Sequence, residues 1–359
     1  MLSRKDRVKL VREQVKHGWH DKWWSFIMET RCNSAWFYIS GNPNLVINDV
    51  LANPDKDWAW FELSKNPNIT LQDILENPDK PWNWQVISSK SNVTLDDIKK
   101  NPDKPWSWFH ISENPNLTIE FVNENPDKDW YWYGISRNPN ITIASINANP
   151  DKPWAWAGIA KNPNLTMEFI NANPDKPWDW KAISYNRNIK IKDFLAYPDK
   201  PWDWECVSMN ANITPAFINA NLDKPWVWSR LASNPNLTTE FIKQHSAKPW
   251  SRYSICSNPN IPITFEANRH DYLYYAGISA NPNLPFKYIR DNPNSSWSWD
   301  AVACNPFTLE KNEFLIREYR RHLASYRIQQ WWHRIRADPR HPVCLRRLER
   351  EYNQLFGNA

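Results

Sequence analysis

Glycine is nearly missing from this chain, with six residues in 359. So few glycines leave no phosphate-cradling Gly-rich loop, and neither an HExxH helix nor a GxSxG elbow occurs. Cysteine is equally scarce: Cys32, Cys206, Cys256, Cys304 and Cys344 form an odd set without a CxxC pair. That set excludes a disulfide framework and reads as buried thiols in a reducing compartment. No run approaches the ~20 apolar residues that span a bilayer. The first residues, MLSRKDRVKLVREQVKHGWH, lack the apolar centre of a signal peptide. A soluble, intracellular, non-secreted protein is expected.

What is abundant is periodic. Pro and Trp, with 29 and 25 residues, recur in a 24-residue unit close to NPDKPWxWxxISxNPNITxxFINA, twelve copies in all. The first Trp slot runs unbroken from Trp58 through Trp82, Trp106 and Trp130 to Trp250, Ser34 and Leu273 fill it in degenerate copies, and Trp297 closes the series. A fixed period of this length means stacked units whose apolar faces are covered only by neighbouring copies. The expected organisation is an N-terminal helical cap (residues 1–33), the repeat array (34–306) and a basic C-terminal helical segment (307–359).

Within a unit, each Lys-Pro and Asn-Pro step marks a boundary, because the residue before Pro is pushed out of the helical region. Lys80-Pro81 places Pro in the first turn of a helix, where its missing N–H costs nothing. Thr70 with Asp73 and Thr94 with Asp97 read as capping boxes for a second short helix, and Thr214-Pro215 repeats the signal. Trp-x-Trp alternation also fits a strand. The aliphatic slot three residues later (Leu63, Ile87, Ile111, Ile135) has helical spacing, however, and Pro would remove a ladder donor from every interior strand. The fold class expected is therefore all-α: an α-solenoid of two-helix repeats, about 110 Å long at 9–10 Å per layer. Ser64, Ser88 and Ser112 permit close helix approach. Asn44, Asn68, Asn92 and Asn116 serve their own turns or form an asparagine ladder along one edge. The N-x-T sequons at Asn68, Asn92, Asn116 and Asn140 read as by-products of Thr capping, not as glycan acceptors.

The basic charge lies at the ends. Residues 1–33 carry a net +4 and residues 307–359 a net +5, leaving the array at −4. A net acidic solenoid makes no continuous nucleic-acid groove. Trp19, Trp23, Trp24 and Phe26 are available to cover the first copy. His17 and His20 are spaced like part of a metal site, but no acidic or Cys partner completes it, so no metal or cofactor is expected. After Pro306 a long helical stretch presents an apolar stripe (Leu315, Tyr319, Leu323, Tyr326) and Arg320, Arg321, Arg327, Arg334 and Arg336. This segment reads as a capping hairpin with solvated arginines, or as a site for an acidic partner, nucleic acid or a calmodulin-like groove. The IQ-like start at Ile328-Gln329 is incomplete, since Arg334 stands where that motif has Gly. Asp79, Asp103 and Asp151 recur in every layer, which speaks for turn roles; a catalytic pair needs one special place.

NPDKPWDW and NPNIT in tandem, followed by IQQWWHRIR and DPRHPVC, resemble repeat proteins encoded by giant nucleocytoplasmic DNA viruses. The resemblance covers roughly residues 34–344. It implies a viral protein acting in infected cytoplasm or packaged in the virion, and carries over no catalytic or binding residue. Arg252, Leu273 and Tyr275 depart from the unit and put stacking over residues 250–306 in doubt. The expected function is a non-enzymatic protein-interaction scaffold. Its reading surface lies where copies differ before the turn: Lys65, Glu113, Arg137, Lys161, Tyr185 and Met209. Nucleic-acid binding through the basic ends, with arginines such as Arg320 and Arg321, is the alternative; carbohydrate stacking on exposed Trp rows is a third.

Overall fold

The computed structural model describes residues 4–30, 32, 35–263, 272–338 and 340–356, and among them there are helices and no strands. They form two compact units, residues 27–307 and residues 1–26 with 308–359. The terminal segments expected at opposite ends of the array thus share one unit.

In the larger unit the copies are layers, numbered here 1 to 12 from residue 34; layers 1 to 9 and 11 each have two short helices, and layers 10 and 12 show one each among the described residues, Arg252–Ser257 and Trp299–Cys304. Layer 3 is typical, with a first helix at Trp84–Ser88 and a second at Leu95–Lys100. The second helix starts as its capping box dictates: Thr94 Oγ1 accepts from the Asp97 N–H, and the Asp97 carboxylate accepts from the Thr94 N–H. Thr70 with Asp73 repeats the arrangement, and Thr214 caps a helix with Pro215 in its first turn.

The first helix starts later than its Pro suggests. Trp82 N–H donates to Lys80 O at 2.8 Å across Pro81, and the chain stays extended to Asn83, the N-cap, whose oxygen accepts from Val86 N–H at 3.0 Å. Only the second Trp of each copy is helical. The extended stretch is held from outside: Asn83 N–H donates to Ser64 Oγ of the preceding layer at 2.9 Å. The same bond joins Ser40 to Ala59, Ser88 to Ser107 and Ser136 to Ala155. Each of these hydroxyls is buried, so the Ser slot fastens layers together as well as allowing close approach.

The Trp residues supply the apolar part of the same interfaces. The second Trp of one layer meets the first Trp of the next edge to face: Trp60 with Trp82, Trp84 with Trp106 and Trp156 with Trp178, at 5.0–5.2 Å between ring centroids. Such pairs add roughly 0.5–1.5 kcal/mol beyond their buried area. The first Trp is pinned by its indole N–H, which Trp82 donates to Asn77 O at 2.8 Å. The Lys of NPDK lies over the second Trp of the preceding copy, as Lys176 does over Trp156 at 4.9 Å. Leu63, Ile87, Ile111, Ile135 and Ile159 are fully buried between the two helices.

Two asparagine ladders run from layer to layer. On the outer one, Asn68, Asn116 and Asn164 donate to Pro43, Ser91 and Pro139 of the layer before. The inner one is built from the first Asn of each Asn-Pro-Asn turn and is fully buried. Asn162 Nδ2 donates to Ser136 O (2.9 Å), Asn138 O (3.1 Å) and Ile141 O (2.9 Å), while its Oδ1 accepts from Asn164 N–H (2.8 Å). In layer 3 the rung is a lysine: Lys90 Nζ reaches Ser64 O at 2.9 Å and Asn66 O at 2.7 Å.

This ladder has no free end. Asn42 of layer 1 donates to Ala303 O at 2.6 Å and Asn305 O at 3.1 Å, and Asn44 donates to Pro306 O at 3.2 Å. Ala303 and Asn305 stand in layer 12 where Ser40 and Asn42 stand in layer 1, so layers 12 and 1 meet through the bonds that join any two layers. The α-solenoid closes on itself as a twelve-layer ring. The expected ~110 Å of length becomes a circumference, giving a mean diameter of about 35 Å. Phe307, at φ 49°, leaves the pattern one residue before the chain enters the other unit; its ring is buried against Phe286 at 4.6 Å.

In the smaller unit the N-terminal helix (Arg4–Glu29) runs antiparallel to a long helix (Thr308–Ala337), joined by a Trp19–Phe314 contact at 5.8 Å and a Lys22–Glu310 ion pair. The last helix, Pro342–Phe356, packs on the long one.

Candidate interaction surface

Closure sorts the helices. The nearest approaches between layers are made by successive first helices, while second helices of neighbouring layers stand farther apart. First helices therefore form the inner wall and second helices the outer. Packing on the inner wall is tightest at two glycines. A Cβ on Gly158 would come within 2.8 Å of Tyr133 O, and one on Gly277 within 2.5 Å of Cys256 Cβ, so only glycine fits there.

The Trp, Ser and first Asn slots of the unit are consumed by packing, the recurring Asp of NPDK stays exposed, as at Asp55 and Asp103, and what is exposed on the first helices varies between layers. Immediately after the second Trp stand Phe37, Phe61 and Phe109, each close to half exposed, and Tyr133 in the same slot is half-buried. Phe109 stacks on Tyr131 at 4.1 Å, and Tyr131 touches Tyr133 at 5.7 Å, making an aromatic sector across layers 4 and 5. These aromatics were missed in the sequence. Their signal was variability in the slot after the second Trp, next to invariant neighbours.

The sequence-predicted residues lie at the C-terminal ends of these helices. Glu113, Arg137 and Lys161 come together: Arg137 Nη2 meets Glu113 Oε1 at 2.6 Å, and both cations sit over the Tyr133 ring, Lys161 at 5.4 Å and Arg137 at 5.8 Å. Lys65 lies over Phe61 at 5.4 Å in layer 2, apart from that cluster. Tyr185 is exposed and Met209 half-buried in layers 7 and 8. Farther on, Glu205 holds Arg230 at 2.8 Å. Charges on this wall are thus largely paired within the protein, leaving a weakly charged aromatic surface.

Arg320, Arg321 and Arg334 are exposed on the long C-terminal helix, with Arg321 held by Glu318 at 3.0 Å; the Arg336 side chain lies outside those described. Tyr319, Leu323 and Tyr326 from the expected stripe line a groove with Val8, Leu10 and Val11 of the N-terminal helix. Cys32, Cys206, Cys256 and Cys344 are buried thiols in no disulfide, and Cys304 is exposed. Burial pushes the Cys32 thiol up to about 11, which makes it a poor nucleophile at neutral pH.

On the N-terminal helix the sequence reading left His17 and His20 without a partner, and the structure supplies one. Asp21 lies 3.7 Å from His17 Nε2 and 3.7 Å from His20 Nδ1. Helical spacing explains it, since Asp21 is four residues after His17.

No family model, curated protein or solved structure matches this chain. No helix among the described residues is long and apolar enough to cross a membrane.

Proposed function

We infer that the protein is a non-enzymatic interaction scaffold whose inner wall reads a protein partner. One observation carries this reading: the Trp, Ser and first Asn slots are spent on packing, while residues that differ between layers build an aromatic and charged cluster of Tyr131, Tyr133, Arg137 and Lys161 on the first helices. A face of aromatic rings flanked by internally paired charges suits a polypeptide better than a polyanion, because no run of unpaired cations tracks along it. Nucleic-acid binding through the basic helix is weaker for a similar reason, since Arg321 is already engaged by Glu318. The Trp rings are turned into layer interfaces, which removes the flat rows that sugar stacking needs. A viral setting, in infected cytoplasm or in the virion, rests on the sequence resemblance alone.

The test is affinity capture of partners from infected cells with the wild-type chain and with Phe109→Ser/Tyr133→Ser. Both side chains lie outside the asparagine ladders, so the ring should persist. Partners lost with the double variant, but retained by Arg320→Ala/Arg321→Ala, support the inner wall. Partners lost only with the arginine variant would move the function to the C-terminal helix.

A further inference from the structure

We propose that His17, His20 and Asp21 on the N-terminal helix form a binding site for one divalent transition-metal ion of the zinc class. The three residues occupy positions i, i+3 and i+4 of one helix and so share a face. One donor atom from each lies within 4.8 Å of the other two. Donors around a tetrahedral ion, with bonds of about 2.0–2.1 Å, are separated by roughly 3.3 Å. The cluster thus needs to tighten by at most about 1.5 Å, and the exposed His17 and Asp21 side chains, 77% and 61% accessible, can rotate that far.

The third ligand is already oriented. His20 is largely buried, and its ring lies parallel to Trp24 at 6.3 Å and 11°, with Trp23 tilted against it at 6.1 Å. These rings limit rotation of the imidazole and keep its nitrogen toward Asp21. The His17 and His20 planes are within 7° of parallel. Two imidazoles and one carboxylate select against magnesium and calcium, which demand all-oxygen shells, and suit zinc, copper or nickel. Three protein donors on an open face leave a fourth position to water.

Zinc titration of the chelator-treated full-length chain, followed by calorimetry, tests the site, with cobalt absorption as a second probe of tetrahedral geometry. One ion per chain is expected. His17→Ala and Asp21→Asn should each weaken binding at least tenfold, whereas His110→Ala, outside the cluster, should leave it unchanged. Both informative variants alter exposed side chains, so far-UV circular dichroism should match wild type and separate loss of ligand from loss of fold. Absence of zinc binding by the wild-type chain would overturn the assignment. So would binding that survives both His17→Ala and Asp21→Asn, because the ion would then lie elsewhere.

Discussion

Asn42→Ala discriminates a closed ring from an open stack. In an open array Asn42 would belong to a terminal layer with nothing before it, and truncation would remove only the bond its oxygen accepts from Asn44 N–H at 2.9 Å. That loss is worth about 1 kcal/mol. In the ring the same amide also serves Ala303 O and Asn305 O. Its removal leaves buried backbone groups of both layers short of partners, each costing about 1–3 kcal/mol. At the low end of that range, the two carbonyls and the lost bond from Asn44 N–H give an expected total of about 3 kcal/mol. Asn186→Ala, on the far side of the array, loses the equivalent bonds, to Ala160 O, Asn162 O and from Asn188 N–H, and sets the scale. Urea denaturation of the two variants should give equal losses. An Asn42→Ala cost near 1 kcal/mol beside an Asn186→Ala cost near 3 kcal/mol would refute closure.

Lys90 gives a pH-dependent prediction. Burial lowers its pKa from 10.5 to about 8, against a small opposing pull from Asp73. Between those values the unfolded chain keeps a proton that the folded chain has released, so stability rises with pH through the window, and the full penalty of roughly 3 kcal/mol applies below it. Lys90→Asn restores the rung found in other layers; its advantage over wild type in denaturation experiments should be largest at pH 7 and shrink as pH approaches 10.5. Trp156→Ala removes the edge-to-face partner of Trp178 and the ring beneath Lys176. A cost of about 3–5 kcal/mol is expected in the same assay.

Most of the layer was legible because its signals are local. Thr94 and Asp97 specify a cap within four residues, and the slot of Ile87 and Ile111 announces a buried helical face. The start of the first helix was misread because Pro81 is compatible with both a helical first turn and an extended lead-in. What decides between them is the Ser64 hydroxyl, a residue of another layer. The inner ladder was hidden for the same reason. Asn66 and Asn114 stand at Asn-Pro steps, which read only as helix boundaries, and their donation across layers needs the stacking geometry. Closure was the least legible feature. It depends on a rotation of about 30° per layer, a quantity set by small packing differences, such as those at Gly158 and Gly277, that no motif spells out. The aromatic sector was obscured because attention to invariant slots passes over the variable one beside Trp108 and Trp132.

The degenerate copies make sense once the interface, not the copy, is taken as the unit. Each interface joins the second Trp slot of one layer to the first slot of the next. Arg252 and Leu273, which looked like separate defects in two copies, occupy the second slot of layer 10 and the first slot of layer 11, and Leu273 lies half exposed in the helix Tyr272–Ser279. Tyr275 is a different case: it keeps its contact with Trp297 at 5.1 Å and 73°, so that interface remains aromatic. Where one partner of a pair is lost, the other loses its edge-to-face energy as well, and the pair is freed together. Restoring the pair should therefore be cooperative. Arg252→Trp or Leu273→Trp alone adds a ring without a partner, whereas the double variant should gain a coupling of about 0.5–1.5 kcal/mol beyond the sum of the singles. A double-mutant cycle measured by urea denaturation reads this directly. Strict additivity would mean that the helical setting of Leu273 keeps the two rings apart, and that the pairing is not what the two substitutions share.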